Sequence, residues 1–91
     1  MNKARRNVIS KYMTELEEIQ SKLSDIKENI ESVRDEEDET LSNLPDSLQY
    51  SEKGDIMQEC IDGMDEQIST IDDIISYLDD VTSGLQEVID K

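Results

Sequence analysis

Residues 57–89, MQECIDGMDEQISTIDDIISYLDDVTSGLQEVI, decide the fold. Apolar residues step through this stretch by three and four, at Met57, Ile61, Met64, Ile68, Ile71, Ile75, Leu78, Leu85 and Ile89, with Thr82 the one departure. A helix turns once in about 3.6 residues, so this spacing gathers the apolar side chains into one stripe, positions a and d of a heptad. With Met57 at d, the adjoining g positions add Cys60, Ile74, Val81 and Val88, interrupted only at Gln67. Two helices meeting along one seam do not need a stripe that wide. The surplus predicts a further neighbour, most simply a second copy of the chain, giving a homodimeric four-helix bundle with Cys60, Ile74, Val81 and Val88 in the oligomer interface.

Upstream, Ile9, Tyr12, Leu16, Ile19, Leu23, Ile26, Ile30 and Val33 form a second stripe with the same step, and it stops at Glu37 and Thr40. No Gly or Pro interrupts residues 4–40. The pattern predicts a first helix over about residues 4–38 and a second over about 52–89. Between them, at about 41–51, LSNLPDSLQYS carries the only proline. Pro45 suits the first position of a short helical turn ending near Gln49, with Leu44 and Leu48 placed to plug the end of the helix pair. Ser51 is expected to cap the second long helix by accepting an amide near Lys53 or Gly54. The fold class is therefore all-α, an antiparallel helical hairpin of coiled-coil type with a helical turn in its connection, one domain over 1–91.

Charges flanking the stripes fix the direction of pairing. On the first helix the e positions include Arg6, Lys27 and Arg34; on the second they include Asp65, Asp72 and Asp79. In an antiparallel pair e faces e, so basic meets acidic. A register in which paired residue numbers sum to about 94 sets Leu16 against Leu78, Leu23 against Ile71, Ile30 against Met64 and Tyr12 against Thr82. Gly63 and Gly84 fall at c, on the solvent side.

Composition narrows the function. The 91 residues hold 24 acidic and 9 basic side chains and no histidine, a formal charge of −15. Nucleic-acid affinity comes from Lys and Arg displacing counterions, so direct binding to DNA or RNA is disfavoured and a basic protein partner is expected. A single cysteine, Cys60, makes neither an internal disulfide nor a recognisable zinc site; its plainest role is a small residue flanking the core. No apolar run spans a bilayer, and the basic start lacks the apolar core of a signal peptide, which predicts a cytoplasmic protein without a membrane partner. The run Asp35–Glu39 lacks the spacing of an EF-hand loop, and no cofactor is expected. Nothing suggests a cleft, or a nucleophile with a base beside it, so the chain is expected to bind rather than to catalyse.

The acidity is organised. Residues 35–90 contain 18 acidic side chains and one basic one, and residues 54–90 contain no Lys or Arg. The doublets Asp65-Glu66, Asp72-Asp73 and Asp79-Asp80 recur every seven residues, and the f series Glu52, Glu59, Glu66, Asp73, Asp80, Glu87 is wholly acidic. Seven residues rise about 10.5 Å. Two carboxylates per such step give one per ~5 Å, sparser than the ~3.4 Å per phosphate of a DNA strand but of the same order. Two roles fit this pattern. The stripe can occupy the Lys and Arg sites of a nucleic-acid-binding protein as a DNA mimic, or it can be a solvated face that only confers solubility. A merely soluble helix gains from Glu-to-Lys pairs at i,i+4, and their absence here favours the mimic. The partner-binding residues are then Asp65, Glu66, Asp72, Asp73, Asp79 and Asp80. The basic start, Lys3, Arg5, Arg6 and Lys11, is expected to meet the acidic end of the second helix, or else to form a small interaction patch.

Residues 43–91, beginning NLPDSLQYSEKGDIMQECIDGMDEQI, resemble a set of small acidic proteins of phages and prophages of Gram-positive bacteria, most specifically in the Asn43-Leu44-Pro45, Ser47-Leu48-Gln49, Ser51-Glu52, Gly54 connection. The resemblance implies a mobile-element origin. In charge and size such proteins are similar to DNA-mimic inhibitors of restriction, CRISPR or other nucleases. Taken with the acidic pattern, it leads to the expectation of a non-enzymatic inhibitor of a basic host protein; the wide apolar stripe of the second helix leaves a structural or adaptor coiled coil, its charge serving only solubility, as the alternative.

Overall fold

A computed structural model describes all residues, Met1–Lys91. The fold is all-α: α1 spans Lys3–Ser42, α2 Asp46–Gln49 and α3 Glu52–Asp90, and α1 and α3 pack against each other as a helical hairpin. Two compact units are present, one of Met1–Asp25 with Ile71–Lys91 and one of Ile26–Thr70.

Each terminus of α1 has an identifiable cause. At the start, the Asn2 side-chain oxygen accepts the Arg5 amide at 2.9 Å, a cap that the apolar stripe does not reveal. At the end the helix runs four residues past the expected 38. Gln49 reaches back from α2 and donates its side-chain amide to the carbonyls of Ser42 at 3.1 Å and Leu44 at 2.7 Å. The first is a carbonyl of the last turn of α1 and the second lies just past it, where no further helical amide follows to bond them.

The expected helical turn in the connection is α2. Pro45 lies one position earlier than expected, as the cap residue, and its carbonyl accepts the amides of Leu48 at 2.8 Å and Gln49 at 3.0 Å. Leu44 is half-buried, whereas Leu48 is exposed and closes the end only in part. Ser51 precedes α3 as expected, but its hydroxyl donates to the Leu48 carbonyl at 2.5 Å instead of accepting an amide. The tight connection brings that carbonyl within reach. Gly54, in the first turn of α3, is buried, and a Cβ there would fall onto the Gln49 carbonyl oxygen and lie 2.8 Å from that of Leu48. The chain crosses itself closely enough that only glycine fits.

The seam itself is half as expected. On α3 the a and d residues face inward, and Met57, Ile61 and Ile68 are buried. On α1 the a residues share the seam with e residues, not with d residues. Met13 at e is buried at 9% exposure, while Tyr12 at d is 55% exposed. Ile19, Ile26 and Val33, the remaining d residues, are exposed as well. The expected pairing of Tyr12 with Thr82 in the seam is therefore corrected. The cause lies at e, where Met13, Gln20 and Arg34 carry long stems that cover the seam while the polar heads of the last two reach carboxylates of α3.

The antiparallel register survives that rotation. In the unit of Ile26–Thr70, Arg34 Nη1 donates to Asp65 at 2.9 Å. In the other unit, the Gln20 side-chain amide donates to Asp79 at 2.6 Å and to the Ile75 carbonyl at 3.1 Å. Both carboxylate contacts join e positions of antiparallel helices, with residue numbers that total 99, while Gln20 and Ile75 total 95, close to the expected 94.

Candidate functional site

Helix α3 carries two exposed sides of opposite chemistry, and each unit holds its own portion of both. In the unit of Ile26–Thr70, the b, e and f positions of α3 supply Asp55, Glu59, Asp62, Asp65 and Glu66, all exposed. Beyond Lys53, the c and g positions supply Ile56, Cys60, Gly63, Gln67 and Thr70, also exposed and all uncharged. In the other unit the acidic side bears Asp72, Asp73, Asp79, Asp80 and Glu87, and the uncharged side bears Ile74, Tyr77, Val81, Gly84 and Val88.

All six carboxylates expected to meet a partner are at the surface, but they are not equivalent. Asp65 accepts from Arg34, which also donates from Nη2 to Asp35 at 3.1 Å. This holds the Arg34 guanidinium above its ordinary pKa, chiefly through the hydrogen bond to Asp65 and then through that to Asp35. Asp79 accepts from Gln20. Asp72 is engaged too. The f-position carboxylates Glu66, Asp73 and Asp80 are exposed, and none of their side chains forms a hydrogen bond or an ion pair. The recurring doublets thus split by position: the e residues Asp65 and Asp79 help to hold the hairpin, and the f residues face solvent. Heptad position was the available signal, because e flanks the seam and f points away from it.

With no basic residue from Gly54 onward, α3 quiets some of its carboxylates with glutamine. Gln58 donates to Asp62 and Gln86 to Asp90, each at 2.9 Å and at i,i+4. The second of these bears on the basic start. Lys3, Arg5, Arg6 and Lys11 were expected at the acidic end of α3, yet none forms an ion pair, and Arg6 Nε is buried without a hydrogen-bond partner. Asp90 is taken by Gln86 of its own helix instead.

The residues expected in an oligomer interface, Cys60, Ile74, Val81 and Val88, are all exposed. Cys60 is exposed beside buried Ile61. It lines an open groove of 650 Å³ whose apolar walls are Ile26, Ile30 and Val33 of α1 and Met64 of α3. Gly63 borders the same groove, so the c position is an edge of it and not bare solvent. Sequence periodicity missed this feature because it assigned Ile26 and Val33 to the seam. No group of three or more acidic or cysteine side chains is arranged to hold a metal ion, and no helix is long and apolar enough to cross a membrane. No protein-family model matches the chain, and neither a curated protein nor a solved structure matches it.

Proposed function

We propose that the protein is a non-enzymatic binding module whose acidic side of α3 captures a basic, nucleic-acid-binding protein by occupying the sites that contact phosphates. The observation that carries this reading is the state of Glu66, Asp73 and Asp80, exposed carboxylates left without intramolecular partners on a helix with no Lys or Arg from residue 54 to 90. Crowded like charges destabilise a helix by a few tenths of a kcal/mol per close pair. A face held this way through folding is available to cations of another molecule, and its field would speed their approach. In the unit that contains them, Asp73 and Asp80 sit one heptad apart, about 10.5 Å along the helix axis.

The target class follows from that chemistry: a groove lined by Lys and Arg that normally holds a nucleic-acid strand. The narrower role of a phage-type inhibitor acting on a nuclease or defence effector in the bacterial cytoplasm belongs to the same proposal, and it draws on the resemblance of residues 43–91. The test is affinity capture from bacterial lysate with the wild-type chain and an E66Q/D73N/D80N variant. Wild type should retain basic proteins that duplex DNA displaces; the variant, equally helical by circular dichroism, should not. Equal retention by both would exclude the mimic.

A structural or adaptor coiled coil is the second reading, favoured by the exposed apolar row Ile74, Val81 and Val88. In that case I74S/V81S should abolish assembly and function together, and the carboxylate changes should leave both intact.

A further inference from the structure

We propose that the start of α1 and the end of α3, which belong to one compact unit, form a charge-complementary surface that docks on the same surface of a second copy of this chain. The cations Lys3, Arg5 and Lys11 of each copy meet the carboxylates Asp73, Asp80 and Glu87 of the other. The inference does not rest on the acidic-face reading, because it concerns the chain alone; a second copy would compete with a basic partner for Asp73 and Asp80.

Three observations carry it. The first is that the fold leaves both sets of charge over. Lys3, Arg5 and Lys11 are exposed, and none pairs with any of the 24 acidic side chains of the chain. Asp73, Asp80 and Glu87 are exposed in the same unit, and their side chains are equally unbonded. The hairpin gathers opposite charges into one unit without joining them.

The second is where these charges stand. Lys3 and Arg5 lie in the first turn of α1, which has no acidic residue, and Glu87 lies in the last turn of α3, which has no basic one. A helix start is partly positive and a helix end partly negative, so both placements oppose the dipole of their own helix. Opposite charge supplied from outside relieves each of them.

The third is the balance of charge, which selects the occupant. The unit of Met1–Asp25 with Ile71–Lys91 holds six basic and ten acidic side chains, a formal −4, whereas that of Ile26–Thr70 holds three and fourteen, a formal −11. The first unit is therefore the part of the chain that a second copy approaches against least repulsion. An anionic ligand would suit its cations and be repelled by its carboxylates, and a cationic ligand the reverse. A surface bearing both signs is matched by its own image, because in a two-fold pair residue i meets j and j meets i. The spacings agree: Arg5 and Lys11 are about 9 Å apart along α1, and successive members of Asp73, Asp80 and Glu87 are about 10.5 Å apart along α3. Exposed Val8, Tyr12, Val81 and Val88 of the same unit add apolar area to the contact.

The experiment is sedimentation equilibrium of the full chain at low salt, with circular dichroism on every sample. Wild type should have twice the 10.4 kDa of one chain. K3E/R5E/K11E and D73K/D80K/E87K should each associate about tenfold or more weakly, as helical monomers. The second variant is the sharper, because it reduces the net negative charge and would strengthen any association that general repulsion limits. An equal mixture of the two should recover the dimer, since the reversed charges of one then complement those of the other. A wild type that stays monomeric at all concentrations overturns the inference, as does a helical variant of either kind that remains as dimeric as wild type. A mixture of the two helical variants that stays monomeric overturns it too. Should a reversed variant lose its helicity, K3Q/R5Q/K11Q decides: helical monomer supports the inference, undiminished dimer overturns it.

Discussion

Arg34 of α1 and Asp65 of α3 meet across the hairpin at 2.9 Å, and the same guanidinium also holds Asp35. An acidic residue expected to face a partner is thus part of the fold. D65N and R34Q should each lower the melting temperature slightly, as exposed ion pairs do, and the double variant should fall no further than the larger single effect. In partner capture D65N should matter less than E66Q. Equal losses from the two would mean that e and f carboxylates serve the partner alike.

The Arg34 contribution also has a pH signature. Its pKa is raised in the folded state, so the stabilisation is complete below the unfolded arginine's value and is lost only as pH rises through the higher folded value. From this pair, thermal stability should be flat between about pH 7 and pH 9, well below arginine's range. Melting curves of wild type and R34Q should run parallel over that interval. A gap that closes with rising pH would contradict the assignment.

The rotation of α1 is tested by two adjacent residues. Met13 is buried and Tyr12 is exposed. M13A should cost about 2 kcal/mol or more, the range for emptying a core methionine site, and Y12A should stay within ~0.5 kcal/mol as a surface change. The reverse order in chemical denaturation would restore Tyr12 to the seam.

Glycines 54 and 84 should respond with opposite signs. A Cβ at Gly54 meets backbone atoms of the connection, while one at Gly84 meets nothing within 4 Å. G54A should destabilise by about 1–3 kcal/mol, as overpacking does; G84A should stabilise by up to ~1 kcal/mol through helix propensity. Denaturant midpoints of the two variants read both signs directly.

Self-repulsion should outweigh cross-helix attraction. The net charge of −15 acts over the whole chain, whereas Arg34 with Asp65 is a single pair. Added salt screens both, with a Debye length near 10 Å at about 0.1 M. The melting temperature should therefore rise with sodium chloride. A fall would show that ion pairs between the helices dominate.

Much of this architecture was legible in the residues. The limits of α3 follow from a and d positions that are apolar except at Thr82, and the observed Glu52–Asp90 lies within one residue of the expectation. The antiparallel direction follows from which e positions are basic and which acidic. The rotation of α1 was not legible, because periodicity scores apolar residues and overlooks the half-buried stems of Gln20 and Arg34 beside the seam. Gln49 was missed for a related reason: it bonds a carbonyl seven residues back, and only the folded turn brings the two together. Of the acidic side, the f series could be read directly from the heptad. The engagement of Asp65 and Asp79 depended on the e residues of the other helix.

The most direct test of the acidic-face account is the salt dependence of affinity for the captured basic protein, compared between wild type and E66Q/D73N/D80N. Wild-type affinity should fall steeply from about 50 to 200 mM salt, and the variant should bind more weakly with a shallower slope. Affinity that does not change with salt, or one slope shared by both proteins, would contradict the account.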